Sequence, residues 1–289
     1  MAYSGDKYLY MKILALWVAY SIASLQVSAD CEWLSQAQLD AALPLPPQLS
    51  PKSLEQIYYS DLRYVHDGDS IRLQGGDRVR MRYINSLELA RYSRPEQPLA
   101  QAARDYVVRH LNGLRVHLQF GLQQQDHYGR LLASVYNAYG HWVAPALVAQ
   151  GLAYVVSIPP AIAPACLWQL ERDAKAASTG LWGLADHIPV VAQSIEPSVN
   201  GFIRVQGKVV NVTRARTAWY IDIAESLVIK IPQENSKFFK EEFFSNLPGH
   251  VVTVRGWLKW RSLTTAQKQR GYRPAIMILR HPDMFEAIQ

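Results

Sequence analysis

Asp67-Gly68-Asp69-Ser70 sets two carboxylates on either side of a glycine, between two strand-like runs. Oxygen ligands on a tight turn suit a hard cation. Arg80 lies on the next strand-like run, with Asn85 and Glu88 on its exit loop, so a guanidinium, an amide oxygen and a carboxylate gather at one strand end. Arg82 shares the strand face of Arg80 by the period of two. Asp126-His127-Tyr128-Gly129-Arg130 adds a second guanidinium beside an aromatic ring, ahead of another apolar run. A guanidinium fork matches phosphate oxygens bidentately. Taken singly, each motif reads as a solvated turn or a surface ion pair. Taken together, they suit metal-assisted chemistry on a phosphate.

The elements that must hold these groups follow from hydrophobic period and turn residues. Strands are expected at 61–66, 70–73, 78–84, 115–120 and 131–136, with a hairpin turn at Gly75-Gly76-Asp77. Helices are expected at 99–111, 143–150 and 166–178, the second closed by Gly151. Five strands with a helix after the third is the order of an OB-type barrel. The same order recurs at 202–212, 218–223, 227–231, a helix at 235–244, then 251–260 and 275–279, which predicts a second, smaller OB-like barrel. The expected class is therefore mainly β with α (α+β). The expected division is a leader at 1–29, a lead-in at 30–56, a first domain at 57–185, a linker at 186–200 and a second domain at 201–289. The Pro-rich stretch from Leu43 to Pro51 is expected to lack regular structure.

Charge separates the two halves. From Gly201 onward there are 14 basic and 7 acidic residues, against 16 and 17 before it, within an overall net charge of +6. Polyanion attraction, where it acts, would come mostly from the C-terminal part. There, Arg255, Trp257 and Lys259 share one strand face and could stack bases and follow a phosphate backbone. Equally, Trp257 and Trp260 could be core residues whose charged neighbours only solubilise. Composition argues against both disorder and a polytopic membrane protein.

The three motifs together resemble the staphylococcal nuclease family, from about Arg63 to Gly183, including Gly151-Leu152-Ala153 and the closing Gly180-Leu181-Trp182. The resemblance implies a Ca²⁺-dependent phosphodiesterase acting on DNA or RNA. It makes Asp69 and Asn85 metal ligands, Glu88 the general base, and Arg80 and Arg130 the groups that neutralise phosphate charge. His127 and Tyr128 would contact a neighbouring phosphate. The family's exit loop reads Ile-Asp-Ala-Pro-Glu, whereas this chain has Ile84-Asn85-Ser86-Leu87-Glu88. The site thus lacks one carboxylate and a loop-stiffening proline, which lowers divalent-ion affinity and leaves a weakened or inactive nucleic-acid binder as the alternative.

Lys12, the apolar run from Ile13 to Leu25 and the small residues Val27-Ser28-Ala29 read as an export leader cleaved after Ala29, or as an uncleaved anchor; Met11 is a second possible start. Cleavage implies a periplasmic or secreted protein without stable membrane association, and no protein partner is expected. Cys31 and Cys166 then form a disulfide or stand as two separate thiols.

Overall fold

The computed structural model describes residue 31 and residues 33–49, 56–90, 95–111 and 113–289, so the expected leader at 1–29 lies outside the described residues. Its first half contains strands β1 (Leu43–Pro44), β2 (Ile57–Val65), β3 (Ser70–Leu73), β4 (Arg78–Met81), β5 (Ile84–Ser86), β6 (Arg115–Gln125), β7 (Leu131–Tyr136) and β8 (Ala153–Val155). The helices are α1 (Gln36–Asp40), α2 (Ala100–Leu111), α3 (Val143–Ala149) and α4 (Ala165–Ala176). Strands β2, β3, β4, β7 and β6 follow one another around a ring that closes where β6 meets β2. Strands β4 and β7 are parallel neighbours. Such a pair needs a long crossover, which α2 and β6 provide.

Ile71, Leu73, Val79 and Met81 alternate inward along β3 and β4 and are buried. Ala103, Tyr106, Val107 and Leu111 form the matching stripe on α2. They join Leu118, Phe120, Leu147 and Leu167 in one core. Each such large side chain contributes roughly 1.5–3 kcal/mol by leaving water. The core is tied to the start of the described chain by a Cys31–Cys166 disulfide, with Cα atoms 5.8 Å apart.

The sequence misjudged several bounds. Strand β2 starts four residues before the expected 61 and β6 runs on to Gln125. The Pro-rich lead-in is not wholly irregular: Leu43 and Pro44 pair in parallel with Tyr58 and Tyr59. Proline is tolerated there because an edge strand can present its missing N–H to solvent. The expected helix at 235–244 is a 3-10 turn, Gln233–Phe238, followed by α5 (Glu241–Asn246). Phe239 between them is extended and buried, so anchoring one ring in the core outweighs continuing the helix.

The second half holds β9 (Val190–Val191), β10 (Gly201–Arg214), β11 (Ala218–Ile223), β12 (Leu227–Pro232), β13 (Val251–Trp260), β14 (Ala275–Ile278) and β15 (Phe285–Ile288), with α6 (Thr265–Gln269) before β14. Strands β10, β11, β12, β14 and β13 form a second ring, closed by β13 on β10, with β12 and β14 parallel. Its circular order is that of the first ring. The stretch expected as a linker packs closely: β9 pairs with β10, and Ala192 and Ile195 are buried in the second core.

The halves meet through buried charge. Arg255 of β13, 1% exposed, donates from both Nη atoms to the Glu171 carboxylate of α4 at 2.7 Å each. Arg204 of β10 holds Glu286 of β15 at 2.6 Å, and Lys175 of α4 lies 3.3 Å from Glu171 and 3.6 Å from Glu286. Burial alone would raise the Glu286 pKa, but the Arg204 hydrogen bond and the charges of Arg255, Arg204 and Lys175 bring it below the ordinary glutamate value. The nearby Ser157 hydroxyl donates to Asp283 across the same boundary at 2.9 Å.

Candidate active site

The Asp67–Asp69 turn joins β2 to β3 and lies against α2 and β5. A Cβ on Gly68 would come within 2.7 Å of the Ala103 Cβ and 2.8 Å of the Ser86 Cβ. Glycine is therefore required for the turn to approach this closely. The Asp69 N–H donates to Asp67 Oδ1 at 3.0 Å, a local bond that fixes the turn. Asp69 itself is 5% exposed. Its Oδ1 accepts from the Ser70 hydroxyl at 2.9 Å, and its Oδ2 accepts from the Ser86 N–H at 2.7 Å and faces Arg80 Nη2 at 3.1 Å.

Arg80 gathers the exit loop around this carboxylate. Its Nη1 donates to the carbonyls of Met81 and Ile84 at 2.8 Å each, and its Nη2 donates to Asn85 Oδ1 at 3.0 Å. Asn85 returns its amide N–H to the Ser86 carbonyl at 3.1 Å. Pairing of β5 with β8 buries Asn85 and Ser86 and brings the Ser86 N–H to Asp69. Sequence reasoning read neither β5 nor β8 as such, because three residues are too few to show a period.

Glu88 follows two residues beyond Ser86 and is exposed. Its backbone is clasped by Gln97, whose side chain accepts from the Glu88 N–H at 2.7 Å and whose N–H donates to the Glu88 carbonyl at 2.9 Å. Gln97 was missed in the sequence, as were Ser86 and the clamp by Arg78, because backbone contacts leave no trace in spacing.

The Asp126–Arg130 turn stands beside β4. The parallel register pairs Val79 with Leu131 and Arg80 with Leu132, and Arg78 Nη2 donates to the Tyr128 carbonyl at 2.8 Å. Asp126 organises the turn: it accepts from the N–H groups of Tyr128 and Arg130 at 2.9 and 3.0 Å, and from Arg130 Nε at 2.7 Å. These hydrogen bonds and the Arg130 charge hold the Asp126 carboxyl below the usual range, although burial alone would raise it. Gly129 has φ +72, which a residue with a side chain rarely adopts. His127 and Tyr128 meet at a tilt at the exposed tip, ring centres 3.7 Å apart.

The structure thus brings Asp69, Arg80 and Asn85 into direct contact, sets Glu88 on the adjoining loop, and puts Arg130 at the mouth of the neighbouring strand. Arg255, Trp257 and Lys259 belong to the other barrel. The expectation of a shared binding face fails at Arg255, which is buried and ion-paired to Glu171; its neutralisation in the interface outweighs any solvent-facing role. Trp257 packs edge-on against Phe202, ring centres 4.8 Å apart, and of the three only Lys259 is exposed.

Two close carboxylates lie at this cleft. Burial first, and the Asp69 charge second, push the Asp67 carboxyl up to about 7. Among the described residues no three His, Cys, Asp or Glu side chains gather as a metal cluster. The carboxyl oxygens of Asp67 and Asp69 and the carbonyl oxygen of Asn85 are nonetheless donors of the kind a hard divalent cation takes.

The first half is thus a closed five-stranded OB-type barrel with an acidic and arginine-bearing rim. Residues 78–183 match the family model described as Staphylococcal nuclease homologue. It is 36% identical over 78 residues to the thermonuclease of Staphylococcus intermedius, covering 26% of this chain and 46% of that protein. It is 33% identical over 81 residues to the thermonuclease of Staphylococcus hyicus, covering 27% of this chain and 47% of that protein. The chain spans just under half the length of these relatives. Asp67 and Asp69 precede the matched segment, so their place in the site rests on contact with Arg80 and Ser86.

Proposed function

We propose that the chain is an exported nuclease that hydrolyses phosphodiester bonds in DNA or RNA with Ca²⁺. The observation that carries this reading is the convergence of a buried Asp69 carboxylate, Arg80 and Asn85 at the barrel rim, one loop away from Glu88. Asp69 and Asn85, with Asp67 beside them, would hold the ion. When bound, a divalent ion polarises a phosphate oxygen and offsets charge that grows on it. Glu88, exposed on a loop clasped by Gln97, would take a proton from the attacking water. Arg130 keeps its Nε on Asp126, which leaves its Nη groups to meet phosphate oxygens and stabilise developing charge. Arg80 would add its positive field to the phosphate while ordering the loop. His127 and Tyr128 would touch the adjacent phosphate. Export would follow from a leader at 1–29 cleaved after Ala29, in keeping with a disulfide of a kind that persists outside reducing compartments.

Asn85 supports a second reading. It supplies no charge and its Oδ1 is engaged by Arg80, which favours a weakened enzyme or a binding protein on the same barrel. Digestion of single- and double-stranded DNA and RNA, with Ca²⁺ and with chelator, separates the two. Asn85→Asp is expected to lower the Ca²⁺ concentration for half-maximal cleavage by about tenfold, from one added carboxylate ligand. An unchanged metal dependence would remove Asn85 from the ligand set.

A further inference from the structure

A pocket of about 360 Å³ lies beside the first barrel, between α1 and the ends of β4, β6 and β7. Trp33, Tyr83, Phe120, Tyr136 and Trp142 line it with Arg82, and most of the surface it presents is polar. Arg82 sits two residues after Arg80 yet shares none of its partners. Its guanidinium lies over the Tyr83 ring at 4.4 Å and against the backbone of β6 at Gly121, where a Cβ would overlap it. Its Nε is buried without a hydrogen-bond partner, and among the described residues it forms no ion pair. Burial brings its pKa below the ordinary arginine value. The side chain is partly buried and leans on Tyr83, but no carboxylate of the described residues faces it, so it is available to an anion.

Exposed rings, tilted to one another, continue from the rim. Trp33 is 65% exposed, its ring centre 4.0 Å from that of the exposed His141, and Tyr139, 70% exposed, lies beyond at 6.4 Å from His141. Gln38, Gln119 and Ser134 bring amide and hydroxyl groups to the same pocket, where Gln119 already accepts from the Tyr136 hydroxyl at 2.9 Å. Pockets that hold one small ligand begin at roughly 300 Å³. Bases stack on aromatic side chains for about 1–3 kcal/mol each, regardless of sequence.

We infer that this pocket is a second binding site for a nucleoside monophosphate unit, with the base against the aromatic wall and rim and the phosphate on Arg82. The unit is either a free nucleotide or one residue of a strand. The inference rests on the nuclease reading only for choosing nucleotides over other aromatic anions, and it requires no cleavage.

Isothermal titration of the full chain in chelator, where hydrolysis does not intervene, tests it with adenosine monophosphate, adenosine, inorganic phosphate and oligoadenylate. The wild type is expected to bind adenosine monophosphate about tenfold tighter than adenosine or phosphate, the gain of one added charged contact. Tighter binding of oligoadenylate marks a strand subsite, and equal or weaker binding marks a free-nucleotide site. Arg82→Gln is expected to abolish the preference, while Arg63→Gln, an exposed arginine of β2 outside both sites, keeps it. Trp33→Ala, on the exposed rim, is expected to weaken binding severalfold and decides the matter if Arg82→Gln does not fold. Loss in Arg63→Gln with none in folded Arg82→Gln, unchanged affinity in Trp33→Ala, or no binding of any probe would overturn the inference. A wild type that binds through Arg82 but cleaves nothing with Ca²⁺ would defeat the nuclease reading alone.

Discussion

At the residue scale, the site depends on one carboxylate held in place by its neighbours. Asp69 takes bonds from Ser70, Ser86 and Arg80, so its position is fixed before any ligand arrives. Gly68 is what lets this carboxylate reach β5. Gly68→Ala would drive a methyl into Ala103 and Ser86, and is expected to destabilise the fold by about 1–3 kcal/mol through overpacking. Thermal melts of the purified variant check this, and an unchanged midpoint would mean that the turn can move away at little cost. The grouping of Asp69, Arg80, Asn85 and Glu88 was legible through the family resemblance, since each motif alone reads as a solvated turn or a surface ion pair. The role of Asp67 was not, since a raised pKa comes from burial rather than from residue type.

At the element scale, β4 and the residue just beyond it serve two places. Arg80 turns to Asp69 and the exit loop, whereas Arg82 packs over Tyr83, whose φ is +68, and against β6. Period-two counting put both on one face, and it fails at Arg82 because β4 ends at Met81. The strands of both rings were legible because each runs over four or more residues, rich in apolar and β-branched types and bounded by turns. The short pair β5 and β8 was not, although it delivers Ser86 to the site. The broken helix at Phe239 was likewise hidden, because a buried ring decides it and helical spacing does not record that choice.

At the scale of the whole molecule, two barrels of one topology are joined by Arg255, Glu171, Arg204, Glu286 and Lys175. The basic surplus of the second half is therefore not all available to a polyanion, since Arg255 and Arg204 are used inside the protein. Glu171→Gln would leave Arg255 buried with less compensation, at a cost of about 3–5 kcal/mol. It should lower the melting temperature at neutral pH more than any exposed glutamate change. Glu286 has a folded pKa below its ordinary value of 4.5. Its stabilising effect is thus fully present above that pH and is lost as pH falls through the lower folded value. Glu286→Gln should therefore flatten the acid limb of the stability–pH curve, and an unchanged limb would show that Glu286 is not responsible for it. This interface left no sequence signature, because its charges come from residues 171 to 286 and meet only when both barrels are folded.

Hydrolysis at the barrel rim is tested most directly by single-turnover cleavage of end-labelled DNA and RNA by wild type and Glu88→Gln, each with Ca²⁺ and with chelator. Cleavage by the wild type should require Ca²⁺, and Glu88→Gln should slow it by about a hundredfold or more while leaving the fold intact. Equal rates for the two proteins under every condition would contradict a catalytic cleft built around Asp69, Arg80, Asn85 and Glu88.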